Sequence, residues 1–179
     1  MNKRKIILNL AMSIDGYIAE KDGGFNWIKG DGDKSNDTKK QFSFPDFIES
    51  IDTVVMGKRA FLDAPPGTME MFKSQKIYVA SNEKLDTEYD VEFINGDIVN
   101  QILELKKEDG KNIWLFGGAG SIDPFIKADV IDEYIVGIIP IILGNGIPLF
   151  LENNLTLRLH LDECTIAEGV TMLRYTKIK

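Results

Sequence analysis

Cysteine is almost absent from this 179-residue chain. Cys164 stands alone, so no intramolecular disulfide and no thiolate metal cluster can form, and a scaffold held by bridges is excluded. The reducing cytoplasm is the expected compartment. Histidine is equally scarce, with His160 alone, and one His beside one Cys supports neither a zinc site nor a Ser-His or Cys-His nucleophile pair. No metal is expected. Basic residues are in deficit, 21 against 28 acids for a net charge of -7, which leaves too few clustered cations to displace counterions from a duplex. No nucleic-acid partner is expected. Long apolar runs are missing too: residues 135–150 form the richest, and Gly137, Pro140, Gly144, Gly146 and Pro148 break it, so no membrane segment is expected. The basic start Lys3-Arg4-Lys5 has the look of a leader peptide, but Asn9, Ser13 and Asp15 interrupt the apolar stretch behind it, and it reads as a first strand.

The 44% of hydrophobic residues is enough, at this length, for one domain over residues 1–179 to bury a sizeable core. Apolar runs of strand length occupy residues 6–12, Val54-Val55-Met56, Ile77-Tyr78-Val79-Ala80 and Ile113-Trp114-Leu115-Phe116. Between them, Phe44, Phe47, Ile48 and Ile51 predict a helix from Phe44 to Ile51. Ile98, Ile102, Leu103 and Leu105 predict another from Ile98 to Lys107. A third helix is expected from Ser121 to about Val130, with Ile122, Phe125 and Ile126 on one side and Pro124 in its first turn. Alternating strand and helix predict an α/β fold with a partly parallel sheet. After Glu133 the pattern becomes three strands, roughly 133–139, 156–167 and 170–177, the last two a hairpin around Glu168-Gly169. Residues 20–40 and 63–74 read as polar loops, and loops of that length inside a domain are generally functional.

The sharpest local signal is Phe116-Gly117-Gly118-Ala119-Gly120-Ser121, which joins an apolar strand to a helix through glycines that let a ligand approach the backbone. Free N–H groups and the positive dipole end at such a helix start face an anion without any basic side chain. The full G-x-G-x-x-G fingerprint is not met, since Asp123 holds the third glycine's place, and a plain packing turn has the same local pattern. A second junction, Val55-Met56-Gly57-Lys58-Arg59-Ala60-Phe61, adds a glycine and two cations. The two junctions together suit a pyrophosphate, and Lys58 with Arg59 suits the 2′-phosphate of NADPH, although an exposed basic pair is the plainer reading. A third junction, Ala80-Ser81-Asn82, ends a strand with small polar groups. Asp15-Gly16 leaves the first strand as a turn and feeds the long loop, with Trp27 anchoring it. His160 alternates with Leu157, Leu159 and Leu161 and reads as a surface histidine.

In this order, I-D-G-Y-I-A (14–19), V-V-M-G-K-R (54–59), I-W-L-F-G-G-A-G (113–120), P-I-I-L-G-N-G-I-P-L-F (140–150) and G-V-T-M-L-R-Y (169–175) resemble the dihydrofolate reductase-like superfamily. They are most similar to the reductase domain that forms the C-terminal half of bacterial bifunctional riboflavin-biosynthesis deaminase-reductases, and to its small stand-alone members. The resemblance implies a dihydrofolate reductase-like fold: a mixed, mostly parallel eight-stranded sheet flanked by helices, with a C-terminal antiparallel hairpin. NADPH would lie across the carboxyl ends of the central strands. Gly57, Lys58, Arg59 and Ala60 would meet its phosphates from one side, and Gly117, Gly118, Ala119, Gly120 and Ser121 from the other. Ser81 and Asn82 would face the adenosine, and Ala11, Ile18 and Ala19 the nicotinamide, with Trp27 beside the substrate.

Dihydrofolate reductases carry an acid at the start of their first helix that binds the pterin. Counted back from Met56, Gln41 holds that place here, with Asp37 and Asp46 close but out of register. Neither the H-x-E nor the P-C-x-x-C zinc pattern of the deaminase half occurs in these 179 residues, so only reductase chemistry is expected from them. The implied activity is NADPH-dependent hydride transfer to a C=N or C=O carbon of a small heterocyclic substrate, most like 5-amino-6-(5-phosphoribosylamino)uracil reductase of riboflavin biosynthesis. Dihydrofolate reductase and a non-catalytic NADPH-binding module are the alternatives. Asp15, Asp33, Asp37, Asp46 or an ordered water would supply the proton, and Lys29, Lys34, Lys39 and Lys40 are candidates for a substrate phosphate. The apolar stretch 138–150 and the habit of relatives point to a homodimer.

Overall fold

The computed structural model describes residues 4–152 and 155–178. Eight strands form one sheet, in the spatial order β5 (Val91–Ile94), β4 (Lys76–Ala80), β3 (Ile51–Gly57), β6 (Asn112–Gly117), β1 (Ile6–Ser13), β7 (Glu133–Ile139), β10 (Val170–Lys177), β9 (Leu159–Ala167). The first five of its seven pairings are parallel, and the pairings of β10 with β7 and β9 are antiparallel. Parallel strands connected by helices are buried on both faces, so they appear as unbroken apolar runs. Thus Ile6 and Leu8 of β1 enter one core cluster with Ile113, Leu115, Ile122 and Phe125. Ile7 enters the opposite cluster with Phe47, Val54, Met56 and Trp114.

The helices are α1 (Phe44–Glu49), α2 (Lys58–Leu62), α3 (Thr68–Met71), α4 (Ile98–Leu105) and α5 (Ala119–Lys127). Ile102 of α4 and Phe125 of α5 cover one face, while Phe47 of α1, Phe61 of α2 and Met69 of α3 cover the other. Arg4, almost fully buried, ties the amino ends of the strands together. Its guanidinium donates to the Lys111 carbonyl at 2.6 Å and to Thr53 Oγ1 at 2.8 Å, and it pairs with Asp52.

Several boundaries differ from the sequence expectation. The first helix stops at Glu49, and Ile51, 1% exposed, instead opens β3 opposite Asn112. Its apolarity satisfied a helical spacing and a strand run equally. The third helix starts at Ala119, because Gly118, at φ 83°, turns the chain as its N-cap, and it ends at Lys127. Residues 63–74 are not all loop, since α3 lies within them. The edge strand β5 and a separate antiparallel pair, β2 (Tyr17–Ala19) with β8 (Ile147–Pro148), are too short to show a period, and β9 begins at Leu159, not 156.

Candidate active site

A cleft of about 1260 Å³ opens at the carboxyl ends of the parallel strands. That exceeds the roughly 300–1,000 Å³ of a pocket for one drug-sized ligand, so a dinucleotide and a smaller second molecule can share it. β3 and β6 are neighbours, with Met56 level with Gly117, which brings the two glycine junctions side by side. A Cβ on Gly57 would lie 2.8 Å from Ser121 Oγ, and one on Gly118 would lie 3.0 Å from that oxygen and 4.0 Å from Gly57 Cα. The glycines are therefore a packing requirement between the junctions as well as a bare surface. Ser121 Oγ sits 2.8 Å from the carbonyl oxygens of both Gly117 and Gly118 and donates into that pair, fixing the bend. No side chain caps the nine-residue α5, and a Cβ on Gly117 or Gly120 would meet only open space. An anion can approach this helix start closely.

The cations of the second junction already have partners. Lys58 pairs with Glu83, and that ammonium holds the Glu83 carboxyl below its usual range. Arg59 donates to Asp63 at 3.2 Å and to the Asp22 carbonyl at 3.1 Å, tying α2 to the start of the long loop. Ser81 is buried, its hydroxyl donating to the Glu83 carbonyl at 2.7 Å, while Asn82 is exposed.

The other half of the cleft is apolar and aromatic. Phe44, Trp114 and Phe116 meet edge-on, with ring centroids 6.0 Å apart for Phe44 with Trp114 and 5.0 Å for Trp114 with Phe116. Phe42, Met71 and Met172 line the same space. Gly137 of β7 makes room for Met172, whose Sδ would lie 2.9 Å from a Cβ there. Trp114 Nε1 donates to the Asn9 carbonyl at 2.8 Å, and Asn9 itself lines the cleft from the middle of β1.

Ala11, Ile18 and Ala19 on one side, Ser81 and Asn82 on another, and both glycine junctions between them line this one cleft. Trp27, Gln41 and the carboxylates of Asp15, Asp33, Asp37 and Asp46 lie outside its lining. Asp15 accepts from Ser13 Oγ at 2.7 Å and from the Leu143 and Gly144 amides, which pins the segment after β7 to the end of β1. Those bonds, that from Ser13 foremost, hold its carboxyl below the usual range. Asp37 accepts from the Glu168 amide at 2.7 Å and from Gln41 at 3.1 Å, holding the long loop on the β9–β10 turn. Asp33 accepts from Ser35, and Asp46 sits exposed in the first turn of α1. Trp27 is buried, its indole 3.4 Å from the Gly24 carbonyl, and anchors the loop. Of the four candidate lysines only Lys29 lines the cleft, Lys34 and Lys40 being paired with Glu168 and Glu163. Sequence reasoning missed Asn9, Phe42, Phe44, Met71 and Met172. In the sequence Phe44 shows only as part of a helix face, and the others join the site through packing between distant elements.

A mostly parallel eight-stranded sheet closed by a hairpin, with a cleft across its carboxyl rim between two glycine junctions, defines a dihydrofolate reductase-like protein. Within that class the chain belongs to the RibD C-terminal domain family, whose family model matches residues 4–172. It is 34% identical over 188 residues to YyaP, an uncharacterized protein of Bacillus subtilis (strain 168), covering 98% of this chain and 96% of YyaP. It is 36% identical over 165 residues to YwjB of the same organism, also uncharacterized, covering 88% and 90%. Among solved structures, a Shewanella sp. PV-4 protein provisionally assigned to riboflavin biosynthesis superposes with a TM-score of 0.79 at 26% identity, over 98% of this chain and 99% of that one. The Thermotoga maritima diaminohydroxyphosphoribosylaminopyrimidine deaminase/5-amino-6-(5-phosphoribosylamino)uracil reductase gives 0.72 at 17% identity, over 98% of this chain and 57% of its own. Dihydrofolate reductase from Enterococcus faecalis, complexed with NADP(H), gives 0.60 at 14% identity over 99% and 98%. These last two likenesses concern the fold. Among the described residues no helix is long and apolar enough to cross a membrane.

Proposed function

We propose that the chain is an NADPH-dependent reductase acting on a C=N or C=O carbon of a small heterocyclic substrate, most like 5-amino-6-(5-phosphoribosylamino)uracil reductase. The observation that carries this reading is the closeness of Gly57 and Gly118, two bare backbone turns lining one opening with an uncapped helix start beside them. When bound, NADPH supplies the hydride. The chain supplies position and dry walls. Gly57 to Ala60 and Gly117 to Ser121 would hold the phosphates, Ser81 and Asn82 the adenosine, and Ala11, Ile18 and Ala19 the nicotinamide, next to the aromatic wall. Lys58 favours a 2′-phosphate, which would replace Glu83 as its partner. Lys29 is the lysine placed to meet a substrate phosphate.

The charged side chains lining the cleft are Lys29, Lys58, Arg59 and Asp63, and Asp63 is engaged by Arg59. Among the described residues the one carboxylate lining the cleft is that of Asp63, already paired with Arg59, which leaves an ordered water to deliver the proton to the substrate's nitrogen or oxygen. The same fact disfavours dihydrofolate as substrate: Phe42 and Phe44 line the cleft near the start of α1, where a pterin needs an acid, and Gln41, Asp37 and Asp46 do not. A cytoplasmic homodimer completes the reading.

Fluorescence titration with NADPH and NADH, followed by turnover of the ribosylaminopyrimidine phosphate, tests it. NADPH is expected to bind at least tenfold more tightly than NADH, about 1.4 kcal/mol, and to be consumed with that substrate. Failure to bind NADPH overturns the proposal. Binding without consumption across pyrimidine, pterin and carbonyl compounds would leave a binding module, and consumption with dihydrofolate would restore the folate reading.

A further inference from the structure

The floor of the aromatic half carries a polar group that the fold does not use. Asn9 lies mid-strand in β1, between Leu8 and Leu10, level with Ile135 on β7, and is 5% exposed. Its backbone carbonyl is taken by Trp114 Nε1. Its side-chain Nδ2 is shut from solvent and has no hydrogen-bond partner among the described residues. A buried polar atom without a partner weakens the fold, and an apolar side chain of similar size would carry no such cost. Yet Asn9 also lines the cleft, as do Trp114, Phe116 and Phe44, which offer flat apolar faces. A hydrogen-bonding group set among such faces matches a planar ring with a polar edge.

We propose that Asn9 is the specificity-determining residue of the substrate site. Turned so that both of its polar atoms face the cleft, its carboxamide pairs with a ring amide of an uncharged planar heterocycle, Nδ2 donating to the ring C=O while Oδ1 accepts from the adjacent ring N–H. This rests on the reductase reading and adds the side chain that selects the ring. Sites built to hydrogen-bond a substrate discriminate strongly, because the wrong ring leaves their buried groups unpaired.

The probes are 5,6-diaminouracil and the same ring methylated on both ring nitrogens, titrated into NADPH-saturated protein with tryptophan fluorescence as the signal. Wild type is expected to bind the parent ring at least tenfold more tightly than its dimethyl form. Asn9→Leu loses at least tenfold for the parent and no longer separates the two, while binding NADPH within twofold of wild type and melting at a higher temperature. Asn9→Ala, which removes both the donor and the acceptor, carries the same test if the leucine variant does not fold. The inference is overturned if either variant binds the parent ring like wild type, if wild type does not separate the rings, or if both variants melt lower with NADPH binding lost, which would make Asn9 structural. In the first two outcomes intact NADPH binding leaves the reductase reading standing. Wild type that does not bind NADPH removes that reading and this one together.

Discussion

Tyr134 and Asn9 both bury a polar atom without a partner, and their positions give the two opposite meanings. Tyr134, 3% exposed on β7, belongs to the core cluster with Ile6, Leu8 and Ile131 and is not part of the lining of the active-site cleft. Burial, with the Asp129 charge adding to it, pushes the phenol from 10.0 up to about 12. The raised value means that the native state prefers the neutral phenol. The stability tied to that preference is fully present below the unfolded value and is lost as pH rises toward the folded one. Tyr134→Phe is therefore expected to gain about 1 kcal/mol, remove that part of the alkaline decline, and leave NADPH binding unchanged. Urea melts at neutral pH and between about pH 10 and 12 measure this; a less stable phenylalanine variant would mean that the hydroxyl has a partner. In the sequence Asn9 shows only as a break in an apolar run, and nothing local tells it from Tyr134, since whether an atom finds a partner depends on strands far away in the chain.

At the scale of elements, the start of α5 is the proposed seat of the phosphates. Gly118 is a poor place to test it, because its φ of 83° and the Ser121 Oγ 3.0 Å from its would-be Cβ mix backbone strain with any effect on a ligand. Gly120 sits in the first turn with open space around it. Aspartate at a helix start is favourable by about 0.3–1 kcal/mol, so Gly120→Asp should fold as well as wild type or slightly better. Its charge beside the phosphates should lower NADPH affinity at least tenfold, about 1.4 kcal/mol, measured by the same fluorescence titration. Equal affinity would move the phosphates elsewhere. The central strands were legible from their runs because they are covered on both faces. The limits of α1 and α5 were not, because Ile51 fits two periods and the turn at Gly118 is a backbone angle that residue types alone leave open.

For the whole molecule, the segment after β7 divides between core and surface. Ile139 and Leu149 are buried, while Ile142, 70% exposed, and Phe150, 48% exposed, face outward. The Ile14 amide donates to the Ile141 carbonyl at 2.9 Å and the Leu149 amide to the Gly16 carbonyl at 3.0 Å, so the turn bearing exposed Ile14 adjoins that segment. Exposed apolar side chains on adjoining segments favour pairing of two copies. Light scattering at micromolar concentration is expected to give a dimer, and Ile142→Lys a monomer that still binds NADPH; a wild-type monomer would refute the pairing.

Composition and local pattern were enough to determine the strand runs, the C-terminal hairpin and the glycine junctions, because burial of apolar runs and backbone freedom at glycine are properties of neighbouring residues. Only the packed chain decided which junctions touch. Gly57 lies near Gly118 because β3 lies beside β6, Asp15 and Asp37 are consumed by loop amides, and Asn9 shares its cleft with rings from β6 and α1. Each depends on strand order and on long-range hydrogen bonds, which bring together residues that are distant in sequence.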